Sequence, residues 1–191
     1  MGCGAGKSQK QPGLKLSAPQ KQEMKIVLLG NALVGKTSIV ECFYRGLSDQ
    51  VYQATLGGTF YEIPMKTSDG QEVSLHIWDT AGTERYRALM PIYYRDAEAA
   101  IIVYDLTNPE TLEGCQYWID ELDKHLGRCC LALVGNKADL QEQKVTETEL
   151  APFLASGKNI FTCVTSAKTG KGVKELFQQL VERLLRQRGK S

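Results

Sequence analysis

The stretch Ile26-Val27-Leu28-Leu29-Gly30-Asn31-Ala32-Leu33-Val34-Gly35-Lys36-Thr37-Ser38 decides the fold. Its first four residues are an apolar run of strand character, and Gly30 and Gly35 then fall at the spacing G-x-x-x-x-G-K-S/T. The glycines let the backbone curl so that successive N–H groups, those of Leu33, Val34, Gly35, Lys36, Thr37 and Ser38, face an anion. The helix after the loop turns its positive end to the same charge. Lys36 is placed to neutralise β- and γ-phosphates, and Thr37 to bind Mg²⁺. A strand feeding a helix through such a loop opens an α/β nucleotide-binding fold.

The rest of the chain continues that grammar. A strand is expected over residues 25–29 and a helix over 36–45, followed by a polar stretch, 46–57, of loop character. Two strands, 59–66 and 72–78, flank Ser68-Asp69-Gly70, a hairpin signal that makes them antiparallel neighbours. The unbroken apolar runs 99–104, 130–135 and 161–165 have the character of parallel strands buried on both faces. Helical spacing over 111–125 and 173–186, and a start signal at Thr146-Glu147-Thr148-Glu149 for a helix ending near Ala155, fill the gaps. This gives an α/β fold of six strands and about five helices, with no internal repeat.

At 191 residues, with 42% hydrophobic and 24% charged residues, the chain has ordinary globular composition and the size of one domain with a tail. A net charge of +1 gives no reason to expect a nucleic-acid partner. The six cysteines (Cys3, Cys42, Cys115, Cys129, Cys130 and Cys163) show no C-x-x-C pair, so they read as reduced thiols rather than a zinc site or disulfide framework. No apolar run approaches the length of a spanning helix, and no signal-peptide core comes after Met1.

A phosphate loop alone leaves ATPases, nucleotide kinases and GTPases open, and residues far downstream decide. Asn136-Lys137-Ala138-Asp139 comes after the strand 130–135, at the sheet edge where open α/β folds bind ligands. The carboxylate of Asp139 accepts two hydrogen bonds. Guanine presents a ring N–H and an amine side by side, whereas adenine would leave the carboxylate unpaired. Thr165-Ser166-Ala167-Lys168, after the last strand, would cover the other side of the base, with the Ala167 N–H available to the guanine carbonyl. Between these elements, Asp79-Thr80-Ala81-Gly82 comes at the end of a strand. There Asp79 would hold Mg²⁺ through water, and the Gly82 N–H would touch the γ-phosphate. Thr55 in the polar loop supplies a second hydroxyl for Mg²⁺. Loss of the γ-phosphate would then release both segments, the order–disorder switch of a GTPase.

From residue 23 to residue 186 the chain resembles the Ras superfamily of small GTPases, and within it the Rab branch. The marks are Leu56-Gly57-Gly58-Thr59-Phe60, Ile77-Trp78-Asp79-Thr80-Ala81-Gly82, Glu84-Arg85-Tyr86 and Tyr93-Tyr94-Arg95-Asp96-Ala97. Arg85-Tyr86-Arg87-Ala88-Leu89, Pro91-Ile92-Tyr93-Tyr94 and Asn136-Lys137-Ala138-Asp139-Leu140 are most similar to the early-endosomal Rabs. The resemblance implies a Ras-like P-loop NTPase fold with a mostly parallel six-stranded sheet and one antiparallel strand. It implies a monomeric switch that binds GTP and GDP with Mg²⁺ and hydrolyses GTP to GDP and phosphate. Effector, exchange-factor and GTPase-activating proteins would meet its two switch loops. The place implied is the cytoplasmic face of endosomal membranes, with part of the protein in the cytosol, in vesicle-mediated protein transport.

Several positions depart from that pattern. Where the family has a Gln that orients the attacking water, this chain has Thr83, so slow hydrolysis and a weak response to an activating protein's arginine finger are expected. Ala32 and Leu33 stand where small residues often lie beside the γ-phosphate, and point the same way. Ser48 matches the position of an aromatic ring stacked on guanine; Leu47 replaces it in part, and nucleotide would leave faster. An alternative reading is a GTP-loaded binding scaffold with negligible turnover, which the rate at Thr83 separates from a working switch. A nucleoside kinase would need ATP to bind despite Asp139.

Residues 1–22 have no apolar period and read as a flexible leader; 187–191 form a short basic tail. Removal of Met1 exposes Gly2 for myristoylation, and Cys3 is available for palmitoylation. Lys7, Lys10, Lys15 and Lys21 precede the first acidic residue, Glu23. Gly6 stands where the simple M-G-x-x-x-S/T pattern has Ser or Thr. With no cysteine after Cys163, the expected tether is an acylated N-terminus rather than C-terminal prenylation.

Overall fold

The computed structural model describes residues 1, 22–47, 55, 57–82, 88–127, 129–156 and 158–189. In chain order the elements are β1 (Gln22–Leu29), α1 (Lys36–Arg45), β2 (Gly58–Lys66), β3 (Glu72–Thr80), α2 (Met90–Tyr94), β4 (Ala99–Asp105), α3 (Pro109–His125), β5 (Cys130–Asn136), α4 (Glu147–Leu154), β6 (Ile160–Val164) and α5 (Val173–Arg188). Among the described residues, then, the six strands and the four helices located from the sequence are all present, and α2 is the fifth.

The strands form one sheet in the order β2-β3-β1-β4-β5-β6. Only β2 and β3 run antiparallel, joined through Ser68-Asp69-Gly70, with Gly70 at φ 85° in the turn. All other neighbours are parallel. β4 and β5 are buried along their whole length, as unbroken apolar runs between two helical layers require. Alternation along β1 sends Met24, Ile26 and Leu28 to one face and Val27 and Leu29 to the other. On the first face lie α1 and α5, where Phe43 stacks on Phe177 with ring centroids 3.9 Å apart. On the second, α2 and α3 pack through Met90, Tyr94, Leu112, Trp118 and Ile119.

Element ends obey local chemistry. α3 begins two residues before its apolar period because Asn108 caps it, its side chain accepting the Glu110 N–H at 3.2 Å, and Pro109 occupies the first turn. Thr146 and Glu149 form the capping box of α4, which buries none of its residues and carries Pro152 inside. α5 runs on to Arg188, whose guanidinium binds both carboxylate oxygens of Glu98 at 2.6 and 2.7 Å and the Glu23 carbonyl at 2.6 Å. That clamp fastens the end of α5 to the starts of β1 and β4. No helix among the described residues is long and apolar enough to cross a membrane.

The order of crossings opens a crevice beside β1. From β1 the chain turns to β2 and β3 on one side, and then crosses back to β4 on the other. The carboxyl ends of the strands around β1 are therefore a topological switch point, where open α/β sheets bind ligands. A separate cleft of about 750 Å³ lies at the other end of the strands, lined by Glu98, Cys129, Asn159 and Arg188 among others.

Candidate functional site

The loop between β1 and α1 is shaped by two glycines that no other residue replaces. Gly30 stands at φ 133°, and a Cβ there would lie 2.2 Å from the Val103 carbonyl oxygen. Gly35 stands at φ 98°, and its Cβ would lie 2.3 Å from Asn136 Nδ2. Gly35 is also the N-cap of α1, which has no side-chain cap and no acidic residue in its first turn. The amides at that end are thus left for an outside acceptor, where the helix dipole favours an anion. Lys36 is buried and donates from Nζ to the carbonyls of Gly30 at 2.9 Å and Asn31 at 2.8 Å. Burial lowers its pKa to about 8, against the pull of Asp79. A phosphate beside it would restore the charged form. Leu33 takes a left-handed φ of 65° and is 66% exposed at the loop's apex.

Next to this loop three oxygen-bearing side chains converge. Thr37 Oγ1 donates to Asp79 Oδ2 at 2.6 Å, so the 2.7 Å contact between Thr37 and Thr55 has the Thr55 hydroxyl as donor. Asp79 is fully buried near the end of β3, and its Oδ1 has no hydrogen-bond partner among the described residues. Burial raises its pKa to about 6, opposed by the Thr37 hydrogen bond and Lys36. An orphaned carboxylate oxygen beside two hydroxyls is an all-oxygen donor set, which suits a hard divalent cation such as Mg²⁺. The two segments that meet here are also tied to each other: the Ala81 N–H donates to the Gly57 carbonyl at 2.8 Å. Gly82 rests directly on the phosphate loop, where a Cβ would stand 2.5 Å from the Asn31 carbonyl and the Ala32 nitrogen.

The third group is centred on Asn136, at the end of β5 and 2% exposed. Its Nδ2 donates to the Val34 carbonyl at 2.9 Å, and its Oδ1 accepts the Thr165 hydroxyl at 3.2 Å and the Ala167 N–H at 3.1 Å. One side chain therefore joins the phosphate loop to the loop after β6. The Ala167 N–H, expected to face a base carbonyl, here serves that junction. Asp139 accepts the Ser166 hydroxyl through Oδ1 at 2.6 Å, and Lys168 Nζ lies 4.0 Å from its Oδ2. Lys137 stands at φ 68° and pairs with Asp105 Oδ2 at 2.7 Å. Burial would raise the Asp105 pKa, but hydrogen bonds from Lys137 and Thr107 outweigh it and hold the carboxyl below its ordinary value.

Of the residues read as functional, 33–38, Thr55, Asp79, Gly82, Asn136, Lys137, Asp139, Ser166, Ala167 and Lys168 belong to these three adjoining groups. Thr83, Gly2, Cys3 and Ser48 lie outside the described residues. Sequence reasoning passes over Asp105, which orients Lys137, and includes Thr165 in the base-covering run without its role in orienting Asn136. Asp105 carries one signal, its place at the carboxyl end of a buried strand level with Asn136.

The sequence matches the Ras family over residues 25–186. Ras-related protein Rab-5B of Plasmodium falciparum is 38% identical over 166 residues, which cover 86% of this chain and 79% of that protein. Ras-related protein Rab5 of Nicotiana tabacum is 40% identical, over 85% and 81% of the two chains. Ras-related protein Rab-21 of Geodia cydonium is 43% identical, over 84% and 70%.

Proposed function

This chain belongs to the Ras family of small GTPases, as an early-endosomal Rab of the Rab5 type, and from that premise we propose that it is a membrane-tethered guanine-nucleotide switch of endosomal trafficking that cleaves GTP slowly. The observation that carries the nucleotide reading is the Asn136 side chain, which fixes the phosphate loop and the base-facing loop in one arrangement at 2.9 and 3.1 Å. The uncapped start of α1 and Lys36 receive the phosphates. Asp139, held by Ser166, reads the guanine edge. Thr37, Thr55 and Asp79 would hold Mg²⁺, which when bound supplies charge neutralisation at the β- and γ-phosphates.

The same geometry supports a switch. Thr55 belongs to one segment and Asp79 to the other, and both converge on Thr37 at 2.6–2.7 Å. A γ-phosphate that contacts both segments favours the arrangement in which they are held together, and its loss favours their release. Next to them Phe60, Trp78 and Tyr93 form a chain of rings with centroids 5.1 and 5.7 Å apart, and Phe60 and Ile92 are exposed. An apolar aromatic surface joined to both segments is suited to effectors that bind one nucleotide state. Slow cleavage is inferred from Thr83 with Ala32 and Leu33, and the tether from Gly2 and Cys3 beside a leader that carries Lys and no acid.

The test is competition on the full chain. Fluorescent GDP bound in Mg²⁺ should be displaced by GDP and GTP and not by ATP. Displacement by ATP at equal concentration would refute the guanine reading. A single-turnover rate as fast as that of ordinary Rabs would refute slow cleavage and leave the switch intact.

A further inference from the structure

Gly114 lies inside α3, and no left-handed φ calls for it there. A glycine within a helix weakens it relative to alanine, so what Gly114 supplies is space. That space is taken by Asn31. A Cβ on Gly114 would stand 2.6 Å from Asn31 Oδ1 and 2.9 Å from its Nδ2, so the amide lies directly against the helix. The phosphate loop therefore rests on β4 and α3 at two successive residues, Gly30 against the Val103 carbonyl and Asn31 against Gly114. Both supports are fixed: β4 is buried throughout, and α3 enters the core through Thr111, Cys115 and Trp118 on either side of Gly114. Two further groups meet at the same residue. The Asn31 carbonyl accepts from Lys36 Nζ at 2.8 Å, and a Cβ on Gly82, in the segment after β3, would stand 2.5 Å from that carbonyl oxygen. The side chain of Asn31 thus faces a helix outside both switch segments, while its backbone faces the segment expected to sense the γ-phosphate.

We propose that Asn31 is a positioning residue for the γ-phosphate, with Gly114 of α3 as its seat. The seated side chain fixes the Asn31–Ala32 peptide, and that peptide sets where the Gly82 N–H stands when a third phosphate is bound. Gly82 belongs to the segment that loss of the γ-phosphate releases. The seat stays in place, because the core holds α3 whichever nucleotide is present. Asn31 is therefore the fixed side of a contact whose other side moves, and the missing Cβ of Gly114 is what lets the two come to the right separation. Asp139, Ser166 and Lys168, the groups assigned to the base, take no part in it, so the contact bears on GTP more than on GDP.

This inference rests on the guanine-nucleotide reading, and one set of measurements separates the two. Full-length protein is loaded in Mg²⁺ with fluorescent GDP or with a fluorescent, non-hydrolysable GTP analogue, and chased with excess unlabelled nucleotide. In Gly114→Ala the new Cβ must drive the Asn31 amide off the helix. Release of the GTP analogue should then quicken about fivefold, while GDP release stays within about twofold of wild type. Asn31→Ala, which removes the seated amide and keeps the glycine, should give the same split. Because both changes break one contact, the double variant should release the analogue no faster than either single one, whereas independent effects would multiply. Unchanged release of the analogue in both single variants would overturn the proposal. Equal acceleration of the two nucleotides would overturn it as well, since a general loosening of the loop has no preference for the γ-phosphate, and so would multiplied effects in the double variant. Failure of the wild-type chain to hold labelled GDP would instead overturn the guanine-nucleotide reading, and this inference with it.

Discussion

Asn136 donates its Nδ2–H to the carbonyl of Val34 at 2.9 Å, bridging 102 residues of sequence between the base end and the phosphate end of the site. Asn136 is buried and uses its other amide atom on Thr165 and Ala167, so the bond is one arm of a three-way junction. Truncation to alanine leaves the Val34 carbonyl, the Thr165 hydroxyl and the Ala167 N–H without this partner. Leaving buried polar groups unpaired costs about 1–3 kcal/mol each before relaxation. Asn136→Ala should therefore lower the stability measured by chemical denaturation by about 2–3 kcal/mol and speed nucleotide release. A stability change without faster release would mean that the two loops keep their relation without it.

Asp139 offers a sharper test, because it bears on base identity. Its carboxylate accepts, and guanine supplies two donors. An asparagine at the same place presents one acceptor and one donor, which matches a ring N–H beside a carbonyl, the edge of xanthine. Asp139→Asn should weaken GDP binding by about a hundredfold or more and improve XDP binding. Ser166 can still donate to the amide oxygen, so the fold should hold. Fluorescence competition with the two nucleotides measures the exchange of preference, and unaltered GDP affinity would remove Asp139 from the base site.

Removal of divalent cation probes the other end. Burial penalises the ionised Asp79 carboxylate, and its Oδ1 has no partner among the described residues, so a cation there would stabilise both the group and the bound phosphates. Chelation by EDTA should speed GDP release at least about tenfold in wild-type protein. In Thr37→Ala, release should already be fast in Mg²⁺, and EDTA should add little. Equal EDTA effects in wild type and Thr37→Ala would show that the cation is held elsewhere.

The start of β1 and the phosphate loop sit at opposite ends of one strand. The leader joins at Gln22, where β1 begins, and the phosphate loop starts after Leu29, where it ends. Eight residues of strand separate them by about 25 Å. Gly2→Ala should move the protein from membrane to cytosol in cell fractionation, because a palmitoyl group without the first acyl chain gives only weak retention. Continued membrane association of this variant would refute N-acylation as the main tether.

The parts of the molecule that are legible in the sequence, and the parts that are hidden there, have physical causes. Gly30, Gly35, Lys36 and Thr37 are readable because their spacing encodes backbone curvature, and β4 and β5 because a strand covered on both faces must be apolar throughout. α2 escapes such a reading, since five residues from Met90 to Tyr94 are too few to show a helical period. Pro64 sits inside β2 without harm because that strand is at the sheet edge. The pairing of Lys137 with Asp105, and the use of the Ala167 N–H by Asn136, join residues brought together only by parallel strand register.

Thr83 bears most directly on rate. It comes after Gly82, which is packed against the Asn31–Ala32 peptide with no room for a Cβ, so the next residue starts from a backbone held close to the phosphate loop. A glutamine from that point carries its carbonyl and amide well beyond Cβ and can both accept from and donate to a water. Threonine has a single hydroxyl directly on Cβ. If slow cleavage stems from this exchange, the shorter side chain cannot place the attacking water as a glutamine would, and the rate should be limited by that placement. Single-turnover hydrolysis in Thr83→Gln should exceed wild type by at least about tenfold, whereas Thr83→Ala should change it little. The response to an activating protein's arginine should remain weak in Thr83→Gln while Leu33 is present, since its exposed side chain stands at the loop apex. Adding Leu33→Gly, which also suits the left-handed φ of 65°, should restore it. If Thr83→Ala slowed cleavage severely, the threonine itself would be the water-binding group, and the impairment would have to be sought in Ala32 and Leu33 alone.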